Sequence, residues 1–361
     1  MEKIRKEFPV TRKGIYANTA VYGAMYDSLL DWRQEHDLDM LLHGSDMREK
    51  SLKILSDTRN TIGKFFNCKR ENVALVNNFS TGLNFLLEGL KPKTKVLLLE
   101  NDYPSVNWPF ENRDFDISYV PMDVDLEQRI QDTIRTKNIE VLALSLVQWL
   151  DGFLINIDFL KELKKQHPNL IIIADGTQFC GTRSFDFESS GIDVLGASAY
   201  KWLLAGYGNG FMLFSDAVQD RFAVRSIGFN AANGEVDKKD SIHFAKKLEP
   251  GHLSCLNFGS LKFSLDFLQR IGMDAITEHN RALSLKAKQE FSQLGLLGQN
   301  LEHQKEHSTI FTVKGDELVF KKLLAHDVLC AQRGNGIRLS FHFYNKLAEI
   351  DEIVNILKTG R

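Results

Sequence analysis

The sequence predicts an α/β protein with a mainly parallel sheet, followed by a smaller α+β domain. Short apolar runs rich in β-branched residues alternate with segments of helical periodicity as far as Pro250, and the pattern then changes to long helices and short strands. The chain has 361 residues, 43% hydrophobic and 25% charged, which is long enough for one large domain and a smaller one.

Six apolar runs predict neighbouring strands of the large domain's sheet. They occupy residues 73–77, 95–100, 141–147, 170–175, 193–198 and 210–214. Helical spacing in residues 80–90, 125–136 and 157–167 predicts the helices that cross over between these strands. The polar, glycine-containing segment 230–240 is either a mobile active-site loop or a surface connection.

Beyond residue 250, the segment LKFSLDFLQRIGMDAITEHNRALSLKAKQEF predicts long helices, and STIFTV and GIRLSF predict short strands. We therefore predict three units. Residues 1–16 form an N-terminal segment that packs with the small domain, residues 17–250 form the large domain and residues 251–361 the small domain.

The charge balance disfavours nucleic acid and membrane as partners. Lysine and arginine total 45 against 47 acidic residues, which leaves no basic surface for an anionic polymer. The start MEKIRKEFPVTRKGIY lacks the apolar stretch of a secretory signal, and no run approaches a membrane span, so we expect a cytoplasmic protein. Four scattered cysteines without a C-x-x-C pair argue against a disulfide framework and a zinc site.

A lysine and an aspartate end up near one edge of the predicted sheet. Asp175 closes the strand LIIIAD, and Lys201 follows the next strand, in the apolar and aromatic segment ASAYKWLLAGYGNG. In an open α/β sheet, ligands bind beyond the carboxyl ends of the strands, so both side chains can face one crevice. A lysine in such surroundings calls for a compensating partner, because burying its charge is costly.

Pyridoxal 5′-phosphate (PLP) needs this set of residues. A lysine holds its aldehyde as an imine, a carboxylate keeps its ring nitrogen protonated, and donors bind its phosphate. The segment NNFSTGLN offers such donors where a strand gives way to a helix, although S-T-G before a helix is by itself more often an ordinary N-cap. The dinucleotide fingerprint, the P-loop and the H-E-x-x-H motif do not occur in the sequence.

Together these segments resemble the class V aminotransferase family of fold-type I PLP enzymes, which includes cysteine desulfurases, selenocysteine lyases, isopenicillin epimerase and kynureninase. The resemblance covers almost the whole chain, and the pair ADGTQ and SAYKW is its most specific part. The motifs that carry it follow the family's order: IYANTAVYG, NNFSTGLN, ENDYPSVNWPF, ADGTQFCG, ASAYKWLLAGYGNGFML and GIRLSFHFYNKLAEIDEIV. It implies a three-layer αβα large domain that binds PLP.

The resemblance also implies roles for single residues. Lys201 would hold the cofactor as an imine, Asp175 would pair with its ring nitrogen, and Gln178 would hydrogen-bond its ring oxygen. Tyr103 would stack on the ring. The residues that would hold the phosphate are Ser80, Thr81, Ser198 and Tyr200, the last in place of a histidine of the cysteine desulfurases.

Two more residues follow from the resemblance. Arg338, in GIRLS, matches the arginine that grips the substrate α-carboxylate. His252 stands where the family has a threonine that reaches the phosphate of the neighbouring subunit, so the resemblance implies a homodimer but leaves the role of His252 open, as it does that of Gln148. Each assignment also has a plain structural alternative, such as a strand-end turn, a core aromatic or a surface ion pair.

The reaction is predicted less closely than the cofactor. The family removes a Cα proton from an amino acid, with Lys201 as the base, and then transaminates, eliminates or racemises. Cysteine desulfurases carry a cysteine just before the carboxylate-binding arginine, but here QRGNGI precedes Arg338, and Cys330, in VLCAQ, is expected in the core. The sequence therefore favours an aminotransferase for a small amino acid. A C–S or C–Se lyase or epimerase, or a PLP fold that binds without catalysis, remain as alternatives.

Overall fold

A seven-stranded sheet lies at the centre of the computed structural model, which describes residues 1–298, 301 and 304–358. The spatial order is β2-β8-β7-β6-β5-β3-β4, with β8 antiparallel to both neighbours and the other pairs parallel. Its strands are β2 (Val73–Val76), β3 (Lys95–Leu99), β4 (Asp116–Val120), β5 (Val141–Ser145), β6 (Ile171–Asp175), β7 (Val194–Ser198) and β8 (Gly210–Phe214). The predicted α/β class with a mainly parallel sheet is confirmed.

All six predicted strands are present, each within two residues of the expected end. Strand β4 was not predicted. It lies at the edge of the sheet, and only Val120 of its five residues is buried, so its sequence DISYV lacks the continuous apolar run that marks the inner strands.

Helices cover both faces of the sheet. They are α1 (Glu2–Arg5), α2 (Asp27–His43), α3 (Met47–Phe66), α4 (Phe79–Leu87), α5 (Pro104–Glu111), α6 (Leu126–Lys137) and α7 (Ile157–Gln166). Alternate strand residues enter different cores, as on β5, where Leu142 and Leu144 pack on one face and Val141 and Ala143 on the other. Among the described residues, no helix combines the length and the apolar character that a membrane crossing needs.

The C-terminal part has its own core around a three-stranded antiparallel sheet of order β11-β12-β9. Its elements are α8 (Cys255–Ile271), α9 (Met273–Gln293), β9 (Ile310–Lys314), α10 (Glu317–Ala325), β10 (Val328–Leu329), β11 (Ala331–Arg333), β12 (Gly336–Ser340) and α11 (Leu347–Lys358). The predicted boundary between the domains at residue 250 stays a prediction.

The beginning of the chain packs against its end. Strand β1 (Ile15–Tyr16) pairs with β10, the ring of Phe8 lies 4.7 Å from that of Tyr344, and Arg5 forms an ion pair of 2.6 Å with Glu349. These contacts bring the segment that follows β1 to the central sheet, where it meets the loop that carries Lys201.

A buried carboxylate fixes the segment that leads into α8. Glu249 is 1% exposed, and both its oxygens bind the guanidinium of Arg59, at 2.6 and 3.0 Å, while Lys246 lies 2.7 Å away. Burial alone would raise the pKa of Glu249, but Arg59 and Lys246 outweigh it and hold the pKa below its ordinary value.

We expect Arg59→Ala to lower the free energy of unfolding by about 3–5 kcal/mol at neutral pH, because it leaves the Glu249 carboxylate buried without its main partner. Urea unfolding of the apoprotein measures this. Lys246→Ala is the matched control and should cost less, since Lys246 is partly exposed. The effect of Arg59→Ala should shrink in acid, where Glu249 takes up a proton. Equal losses of unfolding free energy for the two variants would contradict the assignment of Arg59 as the main partner of Glu249.

Candidate active site

A cleft of about 870 Å³ opens at the carboxyl ends of the strands. The ends of β2, β6 and β7 supply three parts of its wall, as expected for an open α/β sheet. Its lining includes Ser80, Thr81, Tyr103, Asp175, Ser198, Tyr200 and His252 of the predicted residues. The segment 230–240 contributes nothing to the lining found among the described residues.

Lys201 lies between two aromatic rings at this cleft. Its side chain is 6% exposed, and Nζ is 5.5 Å from the ring centre of Tyr103 and 5.5 Å from that of Tyr200. Burial lowers the pKa of Lys201, the charge of Asp175 opposes this, and Arg338 adds to the lowering. The lysine amine is therefore neutral, and able to act as a nucleophile or a base, at lower pH than an ordinary lysine.

The turn that carries Lys201 is packed against the start of the chain. The amide of Gly23 donates to the carbonyl of Tyr200 at 2.9 Å, and a Cβ at Gly23 would lie 1.8 Å from the Lys201 carbonyl oxygen. Only glycine fits this approach. Gly206 and Gly208 have φ of 72° and 86°, in the left-handed region that favours glycine, so they shape the loop that follows the Lys201 turn.

Asp175 ends β6 and is buried beside Lys201. Its Oδ1 accepts the backbone N–H of Thr177 at 2.8 Å. Burial raises the pKa of Asp175, whereas the hydrogen bonds from Thr177 and the charge of Lys201 lower it, and the buried Asp102 carboxylate raises it further. A buried carboxylate that is not fully compensated by protein groups is suited to a cationic N–H from a ligand.

The start of α4 forms one corner of the cleft. The helix is capped by Asn78, whose Oδ1 accepts the N–H of Thr81 at 2.9 Å, and Ser198 Oγ accepts the N–H of Phe79 at 2.9 Å. The exposed end of the helix carries Ser80 into the cleft, and helix N-termini favour phosphate groups.

Tyr200 stacks on an exposed neighbour at the cleft. Its ring lies 4.6 Å from the ring of Tyr207, which is 62% exposed. Tyr200 and the start of α4 line the same cleft, and the role of its hydroxyl at the phosphate stays a prediction.

Arg338 is a buried cation close to this group. It lies on β12, is 2% exposed, and donates from Nη1 to the carbonyl of Trp149 at 2.6 Å. Its Nε is buried and has no acceptor, and no ion pair involves it among the described residues. Burial lowers the pKa of Arg338 to about 10, with Arg333 adding to this, so the guanidinium stays charged at neutral pH.

Gln178 does not line the cleft in this structure. Its Nε2 donates to the carbonyl of Ala20 at 3.0 Å, and its Oε1 accepts from Trp202 Nε1 at 2.7 Å. The amide thus ties the Lys201 turn to the start of the chain, and its contact with the cofactor stays a prediction. His252 is exposed at the rim of the cleft, and its role also stays a prediction.

Sequence reasoning missed several residues in or beside the site. Thr177 is signalled only by lying two residues after Asp175, and Tyr207 only by lying between two glycines of the turn. Asn257 joins the cleft from α8, far along the chain, and no local pattern marks it. Asp102 is buried next to Tyr103, and its Oδ2 accepts the N–H of Ser145 at 2.8 Å, which links the ends of β3 and β5.

Comparison with known proteins shows to which family the chain belongs. The sequence model of the family described as aminotransferase class V matches residues 41–353. The chain belongs to the class V aminotransferase family. The class V relatives include an uncharacterized aminotransferase, YcbU, of Bacillus subtilis, 24% identical over 98% of this chain and 97% of its own length. A probable cysteine desulfurase of Methanothermobacter thermautotrophicus is 20% identical over 97% of this chain and 95% of its own.

Solved structures of low sequence identity share the fold of this chain. The apo cysteine desulfurase of Thermococcus onnurineus has a TM-score of 0.87 and 18% identity, with 99% of this chain and 97% of that one covered. A mutant of C-DES with glycine covalently linked to its PLP cofactor has a TM-score of 0.87 and 16% identity, with 98% of both chains covered. The predicted family and fold are thereby confirmed.

Class V aminotransferases are PLP enzymes, so membership of the family confirms the predicted cofactor. The residues of the cleft fit the group. A buried lysine can bind its aldehyde, a buried carboxylate can bind its ring nitrogen, an aromatic ring lies beside the lysine, and the start of α4 suits its phosphate.

The lowered pKa of Lys201 predicts how the apoprotein takes up PLP as pH changes. Only the neutral amine attacks the aldehyde, so the rate of PLP uptake should rise with pH and then level off. The midpoint of this rise should lie well below 10.5, the ordinary pKa of a lysine. Stopped-flow absorbance at constant PLP measures the rate. N-acetyl-lysine under the same conditions is the control, and a protein midpoint as high as that of the free amine would contradict the assignment.

Proposed function

We propose that this class V enzyme is an aminotransferase that acts on a small α-amino acid. The observation that carries the amino-acid substrate is the meeting of three buried groups, in which the carboxylate of Asp175 and the guanidinium of Arg338 both act on the charge of the Lys201 amine. Amino acids present an amine and a carboxylate, and this site offers a partner for each.

When bound, PLP supplies an electron sink that stabilises negative charge at the Cα atom of the substrate. The residues of the protein have several tasks around it. Asp175 would hold a proton on the ring nitrogen, because a buried carboxylate favours an adjacent N–H cation. Lys201 would hold the aldehyde of the cofactor, and its neutral Nζ would serve as the base for the Cα proton.

Arg338 orients the substrate through its α-carboxylate. The hydrogen bond from Nη1 to Trp149 fixes the plane of the guanidinium, and the unpartnered Nε leaves a donor for a carboxylate oxygen. Tyr103 lines the cleft and packs against Trp149, with ring centres 5.7 Å apart, so an aromatic pair stands on this side of the site.

Two observations support transamination over persulfide formation. No cysteine lines the cleft among the described residues, and the turn between β11 and β12, just before Arg338, contains none. Cys330 is 7% exposed, and burial raises the pKa of its thiol to about 12, so at neutral pH it is a poor nucleophile.

A C–S lyase without a cysteine nucleophile is the second candidate. It is favoured by the probable cysteine desulfurases among the relatives and by the fold of the cystine C-S lyase C-DES, solved with its product cysteine persulfide, whose TM-score to this chain is 0.87. Such an enzyme needs the same three groups, so the products must distinguish the two.

A screen of small amino acids against the holoenzyme tests the proposal, with products read by mass spectrometry and an ammonia assay. An aminotransferase gives one 2-oxo acid per site without ammonia, and an added 2-oxo acid restarts it. A lyase gives ammonia and pyruvate continuously, with sulfide or persulfide from cysteine or cystine. Continuous ammonia release, or no reaction with any amino acid, would overturn the proposal.

Arg338→Gln is the control for substrate orientation in the same screen. We expect KM for the best amino acid to rise about 10- to 100-fold, because hydrogen bonds to a charged group contribute about 1.5–3 kcal/mol. Reaction with an amine that lacks the carboxylate should change little. An equal loss of activity with the amino acid and with this amine would show that Arg338 stabilises the fold and does not bind the substrate.

We propose a homodimer as the working form. The family implies it, and the exposed His252 and Tyr207 at the rim leave the cleft open on one side, where a second subunit can complete it. Light scattering of the holoenzyme tests this, and a fully active monomer would overturn it.

A further inference from the structure

A second pocket, of about 210 Å³, lies between α9 and the segment that leads into β9, and it shares no lining residue with the cleft that holds Lys201. We propose that this pocket binds a small anion, a carboxylate or a phosphate ester, that also carries a neutral hydrogen-bond donor such as a hydroxyl. The proposal does not depend on the reaction catalysed in the other cleft.

Cations predominate in the lining of this anion pocket. Its described residues include four cations, Arg183, Arg281, Lys288 and Lys305, against two carboxylates, Glu278 and Glu306. Arg183 pairs with Glu306 at 3.2 Å, whereas among the described residues Arg281 and Lys305 have no ion-pair partner. The surplus of positive charge at an open concave surface attracts an anion.

The buried wall of the anion pocket requires a donor from its ligand. Asn280 and Thr309 are each 4% exposed, and within the described part of the chain Asn280 Oδ1 and Thr309 Oγ1 have no hydrogen-bond partner. The Nδ2 of Asn280 already donates to the carbonyl of Thr182 at 2.9 Å, so its oxygen can only accept. Buried polar atoms without partners are costly, and a ligand that satisfies them binds more tightly.

The hydrogen-bond donor that the ligand presents to this wall is a neutral group. His307, also in the wall, is uncharged at neutral pH, because burial lowers its pKa to about 4, and its Nδ1 is bound to the carbonyl of Ser308 at 2.8 Å. Both carboxylates of the lining are exposed at its rim. An ammonium group at the wall would therefore lose its hydration without gaining a counter-charge. A hydroxyl or amide group needs no counter-charge there.

The size of the anion pocket sets the size of the ligand. Its volume of about 210 Å³ equals roughly that of seven water molecules, at about 30 Å³ each. A molecule of a few carbon atoms with one anionic group fits, and a nucleotide does not. Hydroxy acids and phosphate esters of small alcohols share this chemistry.

Calorimetric titration of the PLP-loaded enzyme tests the proposal with glycerate and glycerol 3-phosphate as probes. Propionate has the anion without the hydroxyl, glycerol has the hydroxyl without the anion, and sulfate has neither carbon chain nor hydroxyl. We expect at least one probe to bind saturably, at least tenfold more tightly than all three controls, and the better probe shows whether the anion is a carboxylate or a phosphate.

Three variants locate the binding. Arg281→Gln combined with Lys305→Gln should weaken it at least tenfold, and Thr309→Val should weaken it similarly without lowering Tm, because valine removes an unpartnered hydroxyl at constant shape. Lys286→Gln is the matched control, since Lys286 lies on the same helix but pairs with Asp351 outside the pocket, and it should change nothing.

The outcomes that overturn the proposal are equally definite. They are the absence of saturable binding by either probe, binding no tighter than that of sulfate, and binding that persists in both pocket variants. Binding that Arg338→Gln abolishes and Thr309→Val leaves unchanged would place the probe in the cleft of Lys201 and would also overturn it.

Discussion

Replacing Lys201 with alanine is expected to lower turnover at least about 10³-fold, because one substitution removes both the group that holds PLP and the base that moves the Cα proton. No lysine lines the described cleft, so nothing there replaces Lys201, whose Nζ lies 5.5 Å from the ring centres of both Tyr103 and Tyr200 in the cleft wall. The variant should also lose the absorbance of lysine-bound PLP, while its fold, read by circular dichroism, stays intact.

Added amines separate chemistry from structure in this variant. A small primary amine that enters the cleft should restore part of the turnover of Lys201→Ala, since it supplies a base at the vacated position. The matched control is Lys262→Ala, which removes a lysine of α8 that pairs with Asp266 and should leave turnover unchanged. Substantial activity of Lys201→Ala without added amine would refute the central assignment.

Asp175→Asn is expected to have opposite effects on catalysis and on the stability of the apoprotein. Turnover should fall by about 10²- to 10⁴-fold, because asparagine cannot hold a proton on the cofactor ring by charge. The apoprotein should be as stable as the parent or more so at neutral pH. Burial raises the folded-state pKa of Asp175, so above its unfolded pKa the carboxylate costs stability, and the neutral amide removes this cost.

Urea unfolding with and without PLP measures this second effect. With PLP bound, the parent should gain more stability than the variant, because the ring cation then compensates the carboxylate. The advantage of the variant apoprotein should vanish in acid, where Asp175 is protonated. A variant apoprotein markedly less stable than the parent would mean that Asp175 supports the fold through Thr177.

The sequence predicts the inner strands closely because burial on both faces demands continuous apolar runs such as LIIIAD. It predicts that Lys201 and Asp175 belong to the site, because the end of a strand and a lysine among apolar residues are both visible in a short stretch of sequence. It does not predict the edge strand β4, four of whose five residues are at least partly exposed, nor Asn257, which reaches the cleft only through the packing of α8.

Gln178 shows a different limit of sequence reasoning. The motif ADGTQ indicates a polar side chain beyond a strand, but the partners of that side chain are 158 residues before it and 24 residues after it along the chain. Hydrogen bonds between distant segments leave no periodic signal, so only coordinates reveal that its amide already has two protein partners.

The position of Gly23 against Lys201 bears on how the protein is made. The first residues leave the ribosome long before their partners, since Gly23 meets residues 200 and 201, Phe8 packs on Tyr344, and Asn18 pairs with Ser340. The N-terminal segment that contacts the lysine turn is itself held by residues near 340, so we expect the turn to be fixed in place only after those later residues have been synthesised. A nascent chain that stalls before them would carry Lys201 without the fully anchored segment that packs against its turn.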